Sequence, residues 1–314
     1  MKKYIKVLVL VLFAVSSFGC TKYIKEDNKT VIYEKTGQSL ASNILCKPLD
    51  EDMYNYYKEH EDSLTVKLDD LPTCQDFTPG SLKYVGIWES LIIKPIAFLI
   101  LKLGQLLGNY GYSVIIISLI IRALMIPLTK KSMQGQEDMK KAQPEIEKIE
   151  RKYRNKTDQE SMMAKSQETM MVYKKYHINP VTSCLTAFLQ IPLFLGFLEA
   201  INRVPAIFEG NIFGGVFEMG LGMTPIVGIK NGSYVYVVLI ILIIVSTYLN
   251  FRLTMKNQPE NPAMGSMKPM MIMMLVMISI ASINLPTAIA LYWIASSLFS
   301  VIQSIITKKV KERK

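Results

Sequence analysis

One charge interrupts the apolar run that decides the fold, Tyr112-Ser-Val-Ile-Ile-Ile-Ser-Leu-Ile-Ile-Arg122-Ala-Leu-Met-Ile-Pro127-Leu128. The run is long enough to cross most of a bilayer, which needs about 20 apolar residues of helix. A guanidinium near mid-bilayer costs roughly 2.5–3.5 kcal/mol on insertion scales, so it faces a bundle interior or a wet cavity instead of lipid. The sequence therefore predicts that Arg122 is kept hydrated or paired and that it carries the function.

Several further apolar stretches make the chain a polytopic membrane protein. Half of its 314 residues are hydrophobic, and stretches of about 20 apolar residues are typical of transmembrane helices. Five spans are predicted, at residues 110–129, 181–201, 234–253, 269–285 and 287–306. The predicted fold class is all-α.

The charges are distributed unevenly and predict the orientation in the membrane. Residues 21–86 hold eight Lys and twelve acidic residues, whereas residues 130–180 hold twelve Lys or Arg and eight acidic residues. The tail, residues 308–314, adds five basic residues. Basic loops stay in the cytosol, so the 130–180 loop and the C-terminus are predicted to be cytoplasmic in a bacterial plasma membrane. This bias explains the net charge of +10 without a nucleic-acid partner.

The N-terminus, residues 1–20, has the pattern of a secretory signal. Lys2 and Lys3 precede the apolar stretch Ile5–Val15, and Gly19-Cys20 resembles the end of a bacterial lipobox, although Ser17 and Phe18 depart from the usual pattern. Lipidation of Cys20 is the favoured interpretation, with an ordinary signal peptide or an uncleaved anchor as alternatives. Each of them leaves residues 21–85 outside the cytosol.

The exported segment contains Cys46 and Cys74. The two cysteines could form a disulfide in an oxidising compartment, and two free thiols are an equally acceptable reading of the sequence. Cys184 falls in a predicted span and is interpreted as a small apolar core residue.

Residues 86–108 are predicted to form an amphipathic helix on the outer membrane surface. The stretch is apolar, but Ser90, Lys94, Lys102 and Gln105 share one side of a helical wheel, as in interfacial helices. A span here would also make the number of spans even and move the basic loop outside. Trp88 is expected at the headgroup level.

Polar residues recur at helical spacing in the cytosolic halves of the spans. The stripes are Ser118, Arg122 and Thr129; Thr182, Thr186 and Gln190; Ser246, Asn250 and Thr254; and Ser296, Ser300, Gln303, Ser304 and Thr307. Because water must reach these groups from one side, they predict a hydrophilic groove that is open to the cytosol and sealed outside. The alternative for each Ser or Thr is a bond to a backbone carbonyl at a helix contact. Glu199 lies too far towards the outer end to pair with Arg122.

Two other function classes compete with a groove. A transporter or channel for an anionic solute would use Arg122, but it predicts polar residues through to the outer face and an internal repeat. An intramembrane enzyme lacks support, because His60 and His177 are the only histidines and the spans contain no Ser/Lys or paired-Asp dyad. No phosphate-binding glycine loop is present in the sequence, and no cofactor is predicted.

The cytosolic loop, residues 130–180, is predicted to be an antiparallel hairpin of two helices, Glu137–Arg154 and Asp158–Tyr176. Each helix has an apolar seam at spacings of three, four or seven. The seams are Ile146, Ile149 and Tyr153 on the first helix and Met163, Met170 and Tyr173 on the second. Its mixed charges predict a solvated surface.

Five short motifs in this order resemble the YidC/Oxa-type membrane protein insertases, in the short form typical of Gram-positive bacteria. They are the Arg122 span with Pro127-Leu128-Thr129 at its exit, Gln143-Pro144-Glu145-Ile146, Tyr176-His177-Ile178-Asn179-Pro180, Leu189-Gln190-Ile191-Pro192-Leu193-Phe194, and Leu291-Tyr292-Trp293. The resemblance covers roughly residues 88–309. Each motif is weak alone, and their shared order and spacing are specific.

The resemblance implies a function and a set of partners. Arg122 would attract the polar N-terminal part of a nascent membrane protein into the groove, and the apolar segment would then enter the lipid bilayer without a nucleotide. The hairpin would recruit clients or contact the ribosome, the signal recognition particle receptor or the Sec translocon, and the protein would act as a monomer. The expected groove and client-binding residues are Ser118, Arg122, Thr186, Gln190, Asn250, Trp293, Ser296, Ser300 and Gln303.

Overall fold

A computed structural model describes residues 21–156, 158–178, 192–255 and 267–312. The protein is mostly helical, and three of its described helices are long and apolar enough to cross a membrane: Glu89–Leu107, Val235–Leu253 and Thr287–Thr307. Shorter apolar helices cover Tyr110–Leu124, Pro192–Asn202 and Ile272–Ser282. The predicted class of helical membrane protein is confirmed at this level. Residues 1–20 with Cys20, and the predicted groove residues Thr186 and Gln190, lie outside the described residues.

The α-helices of nine or more residues are labelled in chain order. They are α1 (Glu51–Glu59), α2 (Lys94–Leu107), α3 (Tyr110–Leu124), α4 (Ile126–Tyr153), α5 (Gln159–Lys175), α6 (Pro192–Asn202), α7 (Val235–Met255), α8 (Met267–Ser282) and α9 (Thr287–Glu312). Two shorter ones, Pro205–Phe208 and Pro225–Lys230, lie in the loop after α6. A π-helical turn, Glu89–Ile93, leads into α2. The predicted spans at 234–253 and 287–306 correspond to α7 and α9, and α8 ends three residues before the predicted end of the fourth span.

The fold is mostly helical, as predicted, and short strands that the sequence did not predict occur outside the apolar helices. Three antiparallel ladders are present, each of two-residue strands. They pair β1 (Lys25–Glu26) with β2 (Lys29–Thr30), β3 (Ile32–Tyr33) with β4 (Gln38–Ser39), and β5 (Asn211–Ile212) with β6 (Met219–Gly220). Strands this short give little periodicity, so the sequence pattern does not reveal them.

α3, α7 and α9 all begin at the β5–β6 hairpin and its following turn. The Asn109 side chain before α3 donates to the Asn211 carbonyl at 2.8 Å. The Tyr236 hydroxyl in the first turn of α7 accepts from the Gly220 amide at 3.0 Å, and the Ala288 amide of α9 donates to the Leu221 carbonyl. The three helices therefore start at one end of the molecule.

α3 is shorter than the predicted span of 110–129. Its start is fixed by Asn109, whose side-chain oxygen accepts from the Gly111 and Tyr112 amides. α3 ends at Leu124 because Pro127 has no amide hydrogen to continue the ladder, and the chain restarts as α4 with this proline in its first turn. Thr129 consequently belongs to α4.

α4 and α5 form the predicted antiparallel hairpin. Lys152 and Tyr153 contact Glu168 near the turn, and Glu145 contacts Lys175 at the far end. The sequence separation between contacting residues therefore increases with distance from the turn, as it does in an antiparallel pair. Ile146 is buried in the seam as predicted. The prediction is wrong for Met163 and Met170, which are exposed, because the buried residue of α5 is Val172.

Residues 21–86 fold into a compact segment with a hydrophobic core of its own, including Leu40, Met53 and Tyr57. The segment is docked on the loop after α6: the Leu45 amide donates to the Arg203 carbonyl at 2.8 Å, and the Thr224 amide donates to the Thr36 carbonyl at 2.8 Å. The segment and the loop thus cover the end of the molecule at which α3, α7 and α9 begin.

Cys46 and Cys74 form a disulfide, with Cα atoms 4.9 Å apart. The cysteines join two stretches of the exported segment that have different anchors. Beside Cys46, the Leu49 amide donates to the Glu209 carboxylate at 2.9 Å. At Cys74, the backbone carbonyl accepts from Gln105 of α2. The disulfide therefore connects the loop after α6 with α2.

α2 turns its polar side chains towards the exported segment. Lys102 donates to the Gln75 carbonyl at 2.9 Å, and Lys94 is fully buried and donates to the Leu82 and Lys83 carbonyls. The expected water-facing side is thus covered by protein. Length and composition make Glu89–Leu107 a possible span, so its position on the membrane surface stays a prediction.

Trp88 contacts protein, and its predicted depth at the headgroup level stays a prediction. Trp88 is buried, its ring packs on Gly196, and its indole nitrogen donates to the Glu199 carboxylate at 3.2 Å. Glu89, beside it, is buried between Lys94 at 3.3 Å and Arg203 at 2.6 Å. A buried carboxylate requires such partners, and these ion pairs link the start of α2 to the end of α6.

Candidate functional site

Arg122 is half-buried on α3 and contacts α9. Its Nε donates to the Ser296 hydroxyl at 2.5 Å, and Ser296 is buried. Tyr292, one turn earlier on α9, is buried as well. Arg122 lies 13 residues after Asn109, which corresponds to about 20 Å along the helix at 1.5 Å per residue. The positive charge is therefore held well below the capped end.

A second polar contact joins the same two parts of the chain nearer the cytosolic hairpin. Gln303 of α9 donates to the Thr129 hydroxyl of α4 at 2.7 Å. The Arg122–Ser296 and Thr129–Gln303 pairs are both 174 positions apart in sequence. Because the two separations are equal, α9 runs parallel to the stretch from Arg122 to Thr129 and keeps the same register with it over about two helical turns.

Trp293 faces α7 on another side of α9. Its indole nitrogen donates to the Thr247 hydroxyl at 2.8 Å. Sequence reasoning missed Thr247, because the predicted stripe on α7 passed through its neighbour Ser246. The available signal was the tryptophan itself, since a buried indole N–H usually finds an acceptor.

Aromatic side chains of α6 and α9 meet beside this contact, and all of them except Phe197 belong to the family-like motifs. Phe197 stacks on Tyr292 with ring centroids 4.1 Å apart, and Phe194 lies edge-on to Trp293 at 5.2 Å. Phe197 and Tyr292 are buried. The stack thus connects α6 to α9 next to Ser296 and lies in the hydrophobic core.

Other predicted groove residues bond to their own helices. Ser118 donates to the Ile115 carbonyl at 2.6 Å, Ser300 to the Ser296 carbonyl at 3.0 Å, and Ser246 to the Ile243 carbonyl at 3.1 Å. The structure thus supports the alternative interpretation for these hydroxyls, a bond to a backbone carbonyl. Asn250 is half-buried on α7, and its role stays a prediction.

Glu199 belongs to the cluster around Trp88 and not to the Arg122 site, as its position in the sequence predicted. This cluster borders a cavity of about 1150 Å³ between the exported segment and the start of α2, whose lining includes Asn43, Trp88, Glu89 and Arg203. Among the described residues, no group of three or more His, Cys, Asp or Glu side chains could hold a metal ion.

Comparison with known proteins identifies relatives of the chain. Residues 102–314 match the family model of the 60Kd inner membrane protein. The chain is 33% identical over 223 residues to "Membrane protein insertase MisCA" of Bacillus subtilis, covering 70% of this chain and 79% of that protein. It is 32% identical over 222 residues to "Membrane protein insertase YidC 2" of Listeria innocua, covering 70% and 72%. "Membrane protein insertase YidC" of Oceanobacillus iheyensis is 29% identical over 236 residues, covering 75% and 88%.

Proposed function

The chain belongs to the 60Kd inner membrane protein family, whose relatives are membrane protein insertases, and from this premise we propose how it acts. It moves nascent membrane proteins from the cytosol into the lipid bilayer through a hydrophilic groove that contains Arg122. The observation that carries the proposal is the position of Arg122: a half-buried guanidinium that contacts Ser296 about 20 Å below the capped helix end. Lipid-facing packing does not explain such a charge.

The capped end is the outer one in this proposal, and the hairpin of α4 and α5 is cytosolic. Five spans with the termini as predicted place α3, α7 and α9 in the same direction, and their common start at the β5–β6 hairpin agrees with that number. The basic residues of the hairpin favour the cytosol. Cys20, if lipidated, tethers the exported segment to the outer surface.

The groove lies between α3, α6, α7 and α9 and opens towards the hairpin. Arg122, Ser296 and Gln303 form one side of it, and Asn250 of α7 contributes to another; Thr186 and Gln190, which the sequence predicts for the groove, lie outside the described residues. The positive charge attracts the acidic or polar end of a client, because a charge pair is stronger in a low-dielectric site than in water. Burial of the client's apolar segment in lipid then drives insertion.

In this proposal, the cytosolic hairpin and the groove have different tasks. The hairpin receives the client, alone or from the ribosome, the signal recognition particle receptor or the Sec translocon. Its paired charges keep it folded and soluble. The chain acts as a single copy in this proposal.

The test is insertion of a short single-span client into proteoliposomes that contain wild type, Arg122→Lys or Arg122→Ala. Protein-free vesicles provide the blank. We expect wild type to insert the client, Arg122→Lys to retain most of the activity, and Arg122→Ala to lose it, since the charge is what the client meets. Full activity of Arg122→Ala would show that the arginine is structural, and no insertion by wild type would contradict the function itself.

A further inference from the structure

The turn of the β5–β6 hairpin carries an apolar surface that the proposed function does not use. Phe213, Val216 and Phe217 are exposed to 47%, 85% and 62%. No charged residue occurs between Asn211 and Phe217, and the first one, Glu218, is bonded at the base of the hairpin by the Asn211 side chain at 2.6 Å. We call the three exposed side chains the hairpin tip.

The hairpin tip is held in place from below. Ile212 is fully buried against Gly111 of α3, where a Cβ atom would lie only 2.6 Å from the isoleucine Cδ1. The Asn109 and Tyr236 bonds described above attach the two strands to the starts of α3 and α7. The exposed side chains therefore stand at a fixed height relative to both helices.

The apolar surface of the tip continues onto α3. Phe213 lies edge-on to Tyr112, with ring centroids 6.2 Å apart. Tyr112 begins a stripe with Ile116 and Ile120, which are exposed to 42%, 37% and 47% at spacings of four residues. In a membrane protein, an exposed apolar stripe on a spanning helix faces lipid.

We propose that the hairpin tip is a lipid anchor, immersed among the acyl chains of the leaflet in which α3 and α7 begin. Its partner is the lipid surface itself, because the tip is apolar, uncharged and continuous with the lipid-facing stripe of α3. In the proposed orientation this is the outer leaflet. The anchor fixes the depth of the α3 start, and through it the depth at which Arg122 lies.

The test measures lipid contact directly and does not depend on insertion activity. Val216→Cys in a Cys184→Ser background is labelled with an environment-sensitive nitrobenzoxadiazole dye, and the protein is reconstituted into vesicles with doxyl groups at shallow or deep acyl positions. The Cys184→Ser chain without the added cysteine gives the blank. Val216 is the most exposed residue of the tip, so the label displaces no packing.

Two matched sites calibrate the result. Asn28→Cys lies in the exposed polar turn between β1 and β2, and Ile116→Cys lies on the lipid-facing stripe. We expect blue-shifted emission at residue 216, with quenching by the shallow doxyl group at least about twofold stronger than at residue 28 and comparable to that at residue 116. Iodide quenching as strong as at residue 28 would overturn the anchor. Protection from iodide without doxyl quenching would also overturn it, because protein would then cover the tip.

Discussion

The Arg122–Ser296 contact is the residue-scale feature that can be tested most cleanly. A hydrogen bond to a charged group contributes about 1.5–3 kcal/mol, and Ser296→Ala removes the acceptor of the guanidinium Nε. We therefore expect Ser296→Ala to lower the midpoint of thermal unfolding and to reduce client insertion, because the guanidinium Nε loses this acceptor.

Ser279→Ala is the matched control for this change. The Ser279 hydroxyl is half-buried in α8 and donates to the carbonyl of Leu275 in the same helix. The Ser279→Ala substitution is expected to change the free energy of unfolding by no more than about 0.5 kcal/mol. Equal effects of the two substitutions on unfolding and on insertion would mean that the Arg122–Ser296 bond has no special role.

Individual site residues were partly accessible from the sequence. Arg122, Ser296 and Gln303 were predicted because polar residues in apolar spans are costly and recur on one helix face. Thr247 was not, because neighbouring positions on a helix differ by about 100° in direction, and the rotation of α7 about its axis is decided by packing. The choice between Ser246 and Thr247 needed the position of Trp293.

At the scale of elements, the helical hairpin should respond to pH. Hydrogen bonds from Lys175 and Tyr176 lower the pKa of Glu145, and those from Lys152 and Tyr153 lower the pKa of Glu168. A lowered folded-state pKa stabilises the hairpin at pH values above the usual carboxylate range, and this contribution is lost as the pH falls through the folded-state pKa.

We therefore expect amide hydrogen exchange in α4 and α5 to speed up, relative to the intrinsic rate, as the pH drops below about 4. The double variant Glu145→Gln/Glu168→Gln should abolish most of this dependence, since neither side chain then titrates. Glu160→Gln is the control, because Glu160 lies exposed in the first turn of α5. An unchanged pH profile in the double variant would contradict the assignment.

The boundaries of elements were harder to predict than their existence. The hairpin follows from its periodic apolar seams, and α7 and α9 follow from long apolar stretches. The end of α3, in contrast, depends on where Pro127 breaks a helix that the apolar pattern continues. The seam of α5 was misassigned because Met163 and Met170 and the buried Val172 are all apolar. Periodicity alone does not choose between two apolar faces.

At the scale of the molecule, the disulfide joins two stretches of the exported segment, one bonded to the loop after α6 and the other to α2. Its removal typically costs 2–5 kcal/mol in a small extracytoplasmic domain, roughly the whole stability of a segment this size. In Cys46→Ser/Cys74→Ser, we expect trypsin to cleave the lysines between Lys22 and Lys83 much faster than in wild type, while the helical part stays protected.

Wild type treated with a reductant provides a control that has no substitution and should give the same cleavage pattern. Cys184→Ser provides the control for a cysteine outside the disulfide. Identical protease resistance with and without the disulfide would show that the contacts to Arg203, Glu209 and Gln105 hold the segment on their own.

The docking of the exported segment could not be predicted from the sequence. Composition and charge placed residues 21–85 outside the cytosol and left the pairing of Cys46 with Cys74 open. The contacts that order the segment, such as Asn43 with Arg203, join positions 160 apart. No local pattern encodes a contact between such distant positions, and the shared family model begins only at residue 102.

Because Asn43 and Arg203 are so far apart in sequence, they are synthesised at different times. At about 5–20 residues per second, the ribosome needs roughly 10–30 s after residue 43 before Arg203 is made. Throughout this interval neither Arg203 nor Glu209, which hold the exported segment on the loop after α6, has been made. The Cys46–Cys74 disulfide, in contrast, spans only 28 positions. The segment is therefore undocked from this loop during the interval, although its own residues are made first.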